Sequence, residues 1–275
     1  MNTPDVGLTD LATIEEASPL VNAITNEVTI NDVAQVILHW GGLPVMSDDE
    51  REVADMVAGA QSLLLNMGTV SEDGEATMMA AGTAANDAGV PVVLDPVGVG
   101  ATPTRDRVAE RLASELDVAI VNGNHGEIAA LTGEDAEVRG VESVGEYADI
   151  AETAIACARE YGTVVVASGE TDVVATSEAA LEINAGHEMM GTVVGTGCMQ
   201  GGTLATMAGA IDEVEKAALL GTAAFGLAGE AAAAGDFGEY HGPASYSIAF
   251  RDAIAGLREA SPGPLRDRIE RLVEA

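Results

Sequence analysis

The feature that most constrains this chain is the alternation of short apolar runs with longer helical segments. The runs LPVM (43–46), SLLLNMG (62–68), VPVVLDP (90–96), DVAIVNG (117–123) and GTVVVASG (162–169) have strand length and composition. Several end in Gly, Pro or Asp, where the chain turns. Between them the pattern predicts helices over about 29–40, 48–59, 72–88, 104–115, 125–132 and 144–161. The first is stopped by Gly41-Gly42. This β-α-β-α order predicts an α/β fold with a central, mostly parallel sheet covered by helices on both faces.

After residue 170 the texture changes. TDVVATS and LEINAG read as short strands of a hairpin-like excursion, and helices follow over about 197–210, 213–235 and 244–260. Their Ala and Gly content suits close helix packing. The tail after Ser261, with Pro262 and Pro264, is expected to pack loosely. No long linker, repeat or low-complexity block interrupts the chain, so residues 1–275 are expected to form a single domain.

Charge then narrows the partners. Twelve Lys and Arg against 45 Asp and Glu leave a net charge of −33, and Lys216 is the only lysine. Such a surface repels nucleic acid, whose binding needs basic patches. In dilute buffer it also repels itself, whereas molar salt shortens the screening length to roughly 3 Å and removes most of that cost. A halophilic cytoplasm is the expected setting. The apolar fraction is 47% but only 3% of residues are aromatic, so Ala, Val, Leu, Ile and Met must fill the core. No uninterrupted apolar stretch reaches about 18 residues, so no membrane helix is expected. The acidic N-terminus, MNTPDVGLTDLATIEE, does not read as a signal peptide, and a cytoplasmic protein is expected. Cys157 and Cys198 form no metal-binding pattern, and no two of His39, His125, His187 and His241 are spaced as a metal pair.

Three motifs fall at strand ends, where open α/β sheets bind their ligands. Gly195-Thr196-Gly197-Cys198 runs straight into a helix. Glycines there let backbone N–H groups approach a phosphate, and the helix start adds positive partial charge. Thr196 and Gly197 are therefore expected to form an anion hole. Asp95, in Leu94-Asp95-Pro96-Val97-Gly98, closes a buried strand and can reach magnesium directly or through water. Glu127, in Asn122-Gly123-Asn124-His125-Gly126-Glu127, opens the next helix; it either complements the helix dipole or serves as a second magnesium-linked carboxylate. The three together favour a nucleotide-dependent phosphotransferase.

With PLVNAITN (19–26), GLPVM (42–46) and VASGE (166–170), these segments resemble the hydroxyethylthiazole kinase family, in order and spacing, from about Pro19 to about Leu257. The resemblance implies a ribokinase-like fold and transfer of phosphate from ATP, with Mg2+, to the primary hydroxyl of a thiazole alcohol in thiamine salvage. It implies that Cys198 is the catalytic residue, a thiolate whose pKa the helix start could lower enough for general-base work. It places Met46 and Gly195 against the thiazole, and Asn122 and Ser168 against ATP. A homotrimer with active sites at subunit boundaries is also implied. Departures from the family pattern are Asn122, where an arginine is common, Ser168 for a common Thr, and Asn22-Ala23 for a usual His-Asn pair.

Other readings remain open at this point. They are a related kinase of another small alcohol, such as a hydroxymethylpyrimidine or a sugar, a nucleotide-dependent hydrate dehydratase, and a non-catalytic thiazole- or nucleotide-binding relic. The two other enzymes usually carry Asp where this chain has Cys198. A dinucleotide-binding reading of Gly98-Val99-Gly100 lacks the third glycine.

Overall fold

The computed structural model describes residues 5–133, 138–139, 142–143, 150–257 and 265–274. The strands in chain order are β1 (Leu20–Ile24), β2 (Leu43–Val45), β3 (Ser62–Asn66), β4 (Val92–Asp95), β5 (Ile120–Asn124), β6 (Val138–Arg139), β7 (Glu142–Ser143), β8 (Val164–Ser168), β9 (Asp172–Ala175), β10 (Ala179–Ile183) and β11 (Ile269–Glu274). Nine of them make one sheet in the order β11-β10-β9-β8-β5-β4-β3-β1-β2, while β6 and β7 pair with each other. From β8 to β2 every pairing is parallel. Strands β9, β10 and β11 add on antiparallel.

The helices are α1 (Leu11–Ala17), α2 (Ile30–His39), α3 (Val53–Ala58), α4 (Glu72–Ala88), α5 (Pro103–Glu115), α6 (His125–Leu131), α7 (Ile150–Tyr161), α8 (Thr196–Ala208), α9 (Val214–Ala234) and α10 (Pro243–Leu257). Successive strand residues point to opposite faces, so the sheet feeds two cores. Leu64, Val93, Ile120 and Val166 join one core with side chains from α1, α2, α8, α9 and α10. Leu63, Leu65, Val92, Leu94 and Val165 join the other, under α3 to α7. The aromatic shortage concentrates Trp40, Tyr246 and Phe250 in the first core, all fully buried. α9 is apolar and long enough to cross a membrane, but 72% of that stretch is buried inside the protein, against α8 and α10.

The expected α/β alternation is present, with three differences. β1 lies inside the PLVNAITN segment, where no strand was expected, and it separates β3 from the edge strand β2. The tail is not loose over 265–274: Leu265 is buried and β11 pairs along β10. The helix expected from residue 48 starts at Val53. Residues 144–149 and 258–260, expected to be helical, lie outside the described residues.

All six parallel strands end at one sheet edge, with Asn66, Asp95, Asn124 and Ser168 as last residues of β3, β4, β5 and β8. The start of β9 at Asp172 and the end of β10 at Ile183 meet at that edge too. It is here that the site forms.

Candidate active site

The N-terminus of α8 is the centre of the site. Gly195 caps it in the left-handed region, with φ 85°, and a Cβ there would stand 2.4 Å from Thr29 Cγ2. Only glycine meets both demands. The first helical bond runs from Met199 N to Gly195 O, so the N–H groups of Thr196, Gly197 and Cys198 face outward from the helix start. Space is open above Gly197, whose added Cβ would touch nothing within 4 Å. The Thr196 hydroxyl is turned back on the preceding loop, toward Met190 O and Val193 O. Its backbone, rather than its side chain, is what remains for an anion.

A buried chain of polar groups closes around this helix start. Asn26 Nδ2 lies 3.5 Å from Cys198 Sγ and 2.9 Å from Asn66 Oδ1. Asn66 Nδ2 donates to Asp95 Oδ2 at 2.6 Å, and Asn122 also hydrogen-bonds the Asp95 carboxylate. Asn122 Nδ2 then donates to Gly197 O at 3.3 Å, returning to α8. Glycines make this possible. A Cβ on Gly68 would collide with Asn26, and one on Gly201 would sit 3.3 Å from Asp95 Oδ2. All four side chains from the strand-end loops are buried, so each must be hydrogen-bonded to be tolerated. One atom is not: Asn122 Oδ1 has no hydrogen-bond partner.

Glu127 is held behind this ring. It forms a reciprocal cap with Asn124, its Oε2 accepting from Asn124 N at 2.8 Å and its own N donating to Asn124 Oδ1 at 2.9 Å. Its Oε1 accepts from Gly98 N at 2.6 Å, tying α6 to the turn after Asp95. Arg105 ties the same turn to its neighbour. Its guanidinium donates to Met67 O at 2.8 Å, Gly68 O at 3.0 Å and Val97 O at 2.5 Å.

Next to the ring runs a cavity of about 930 Å3, lined by Asn124, Ser168, Thr196, Gly197, Gln200 and most of the segment 183–191, among others. Ser168 Oγ donates to Gly123 O at 3.3 Å at its mouth. Asp172 Oδ1 accepts from Gly169 N at 3.0 Å, and burial pushes the Asp172 carboxyl up to about 7.

Protonation at the ring departs from the expectation. Burial, and then the negative charge of Asp95, push the Cys198 thiol up to about 11, against hydrogen bonds from Thr29, Asn66 and Asn26 that lower it. The helix start does not produce a thiolate, because the sulfur is enclosed and faces a carboxylate. Burial, and then Glu127, raise Asp95 well above the usual carboxylate range. Burial also raises Glu127, while its two backbone bonds and Arg105 oppose that shift.

The structure thus brings Asp95, Asn122, Gly197 and Cys198 into one ring, and Ser168, Thr196 and Gly197 onto one cavity. Gly195 caps the helix beside Thr29. Met46 is half-buried just past β2, at the far edge of the sheet from the cavity. The turn that carries it is pinned by Asn22, which exchanges two hydrogen bonds with the Ser47 backbone. Residue-by-residue reading passed over Asn66 and Arg105, and gave Asn26 no part beside Cys198. A buried Asn at the end of an apolar run, as in SLLLNMG, was the available signal for Asn66.

Comparison with known proteins places this arrangement. Residues 11–260 match the Hydroxyethylthiazole kinase family. A hydroxyethylthiazole kinase from Natronomonas pharaonis is 65% identical over 265 residues, covering 96% of this chain and 94% of the relative. The solved structure of a hydroxyethylthiazole kinase from Pyrococcus horikoshii superposes with a TM-score of 0.82 at 30% identity, covering 97% of this chain and 98% of that one. A ribokinase-like superfamily protein from Enterococcus faecalis, 12% identical, shares the fold with a TM-score of 0.63, over 90% and 94% of the two chains.

Proposed function

The chain belongs to the hydroxyethylthiazole kinase family, and from that premise we propose that it transfers the γ-phosphoryl group of ATP to the primary hydroxyl of 4-methyl-5-(2-hydroxyethyl)thiazole, supplying the phosphate ester for thiamine synthesis. The observation that carries this reading is the polar ring that closes on the free N–H groups at the α8 start, with open space over Gly197 and a long cavity alongside. It sets a thiol, a carboxylate and an anion-binding helix end within one enclosure. Phosphoryl transfer needs just that combination of positioning and charge stabilisation, and little covalent help.

In this reading the triphosphate lies along the cavity, against Ser168 and Asn124, with its reacting end at the N–H groups of Thr196, Gly197 and Cys198. Asn122 fixes Gly197 and Asp95 relative to each other. Cys198, a thiol at neutral pH, meets the substrate hydroxyl and orients it. The proton leaves toward Asp95, the carboxylate whose charge reaches Cys198. Met46 and Gly195 border the thiazole.

A magnesium ion fits the residues present. Asp95 and Glu127 are hard oxygen donors, and Asn122 Oδ1 is a buried oxygen with no hydrogen-bond partner. Both Glu127 oxygens already accept backbone N–H groups, so Glu127 reaches an ion through water. Phosphate and water would complete the shell, as is usual for this ion. When bound, magnesium neutralises charge on the transferring phosphate.

The whole chain acts as one catalytic domain in the cytoplasm of a halophile, and three copies assemble with the active sites at their boundaries. Val28, Leu38, Leu43 and Val194 support the assembly: all are large, apolar and exposed, and Leu43 and Val194 lie on the segments that carry Met46 and Gly195. The charge of −33 supports the halophilic setting, and the melting temperature should rise between dilute buffer and molar KCl. The activity is tested by incubating the protein in molar KCl with Mg-ATP and either the thiazole or a hydroxymethylpyrimidine, and weighing the products by mass spectrometry. Thiazole phosphate is expected. Phosphorylation of the pyrimidine alone would overturn the substrate, and no product from a folded, thiazole-binding protein would overturn the activity.

A further inference from the structure

The cavity has two unlike ends. Ser168, Thr196 and Gly197 line it around the start of α8, and around the loop after β10 its walls combine Ile183, Ala185 and Phe225 with Asn184, His187 and Glu188. A charged phosphate chain suits the first end and a flat, largely apolar base the second. Of the four carboxylates that line the cavity, Glu170, Asp172, Glu188 and Glu230, the last, on α9, is fixed by a backbone N–H on one side and an arginine on the other.

The first side is the loop after β10. Gly226, one turn before Glu230, has no room for a side chain, since a Cβ would lie 2.7 Å from the carbonyl group of Ala185. Helix and loop therefore touch, and Gly186 N donates to Glu230 Oε1 at 3.2 Å. The second side is the C-terminal segment. Arg268, just before β11, donates from Nη1 to Oε1 at 2.9 Å and from Nη2 to Oε2 at 2.8 Å. Its Nη1 also donates to Asn184 O at 2.8 Å, clamping the same loop. A carboxylate oxygen accepts about two hydrogen bonds. Oε1 is thus filled, while Oε2 keeps one acceptor position.

We infer that Glu230 accepts a hydrogen bond from a ribose hydroxyl of the nucleotide, so that the site selects ribonucleotides. Arg268 is a positioning residue that braces the carboxylate for this contact. Carboxylates are well suited to sugar hydroxyls, and bracing removes the ordering cost of forming the contact on binding. The inference rests on the cavity being the ATP site. It also gives a role to the segment 265–274, which lies beyond the residues matched by the family.

The test compares KM for ATP, 2′-deoxy-ATP and 3′-deoxy-ATP at saturating thiazole, in the wild type and in Glu230→Ala, Arg268→Gln and Arg268→Lys. The wild type should show a KM about tenfold or more higher for at least one deoxynucleotide, as expected for losing a hydrogen bond to a charged group. Glu230→Ala should raise the KM for ATP and bring the three nucleotides together, with kcat little changed. Arg268→Gln should weaken the discrimination and Arg268→Lys should restore part of it. Wild-type KM values within twofold for all three would overturn the inference. So would a Glu230→Ala protein, folded by circular dichroism and active on the thiazole, that kept the wild-type ratio. Failure of the wild type to bind ATP at all would be a different result, overturning the nucleotide reading of the cavity and this inference with it.

Discussion

The two ends of the active site are built on different principles. At the reacting end, Asn26, Asn66, Asp95 and Asn122 come from four different strand ends or loops, are buried, and bond to one another around α8. Glycines at 68, 195 and 201 remove the side chains that would push them apart. At the outer end, Glu230 and Arg268 are each partly exposed, with side chains 30% and 41% accessible, and one ion pair with a few backbone bonds sets the wall. A buried network is costly when a member is missing, so the reacting end tolerates little change. An exposed ion pair is worth far less, so the outer end tunes selectivity without risking the fold.

The comparison can be broken most directly at Asp95. Asp95→Asn keeps the size of the side chain but removes its charge, and kcat should fall by about 100- to 10,000-fold under saturating substrates. A loss under tenfold would show that the reacting end does not depend on this carboxylate. Asn66→Leu comes next. It strips hydrogen bonds from Asn26, Gly68 and Asp95, and stability in urea should drop by roughly 2–4 kcal/mol, against less than about 1 kcal/mol for Arg268→Gln. Equal losses would erase the distinction between the two ends.

Cys198→Ala separates shaping from chemistry. A thiol near 11 is not a base at neutral pH, so the variant should lose about tenfold or less in kcat and keep the wild-type pH profile. A loss as large as that of Asp95→Asn, with the profile flattened, would restore Cys198 as the proton acceptor. The last effect is read through pH, at Asp172 in the cavity wall. Its folded pKa of about 7 lies above the ordinary value near 4, so the folded protein keeps a proton that the unfolded chain releases. Stability should therefore fall as pH rises from about 4 to 7, and Asp172→Asn should flatten that slope in thermal melts. An unchanged slope would mean that burial there is relieved by water.

Much of this molecule was legible before the structure. Strand-length apolar runs closed by Gly, Pro or Asp announced β3, β4, β5 and β8, because strands buried on both faces cannot hide their composition, and a shorter run announced the edge strand β2. β1 was harder, since LVNAI carries an Asn whose partner, the Ser47 backbone, is 25 residues away. β11 is half solvent-facing and follows two prolines, so its alternation in IERLVE was masked by the turn signal before it. Arg105 read as one more helix-surface charge, because nothing local predicts that its guanidinium reaches carbonyls 37 and 38 residues back.

What the sequence by itself determined is the α/β class, the strand ends beside Asp95 and Glu127, the glycine-led start of α8, and a net charge of −33. These follow from local periodicity, glycine placement and summed charge, none of which needs a partner distant in the chain. Only the tertiary structure decided how those segments meet. It joined Cys198 to Asp95 through two asparagines, and enclosed the thiol deeply enough to keep its proton. It also carried Arg268 from the end of the chain to Glu230. Burial and charge at a point in space depend on every segment that arrives there, and that sum exists only once the chain has closed on itself.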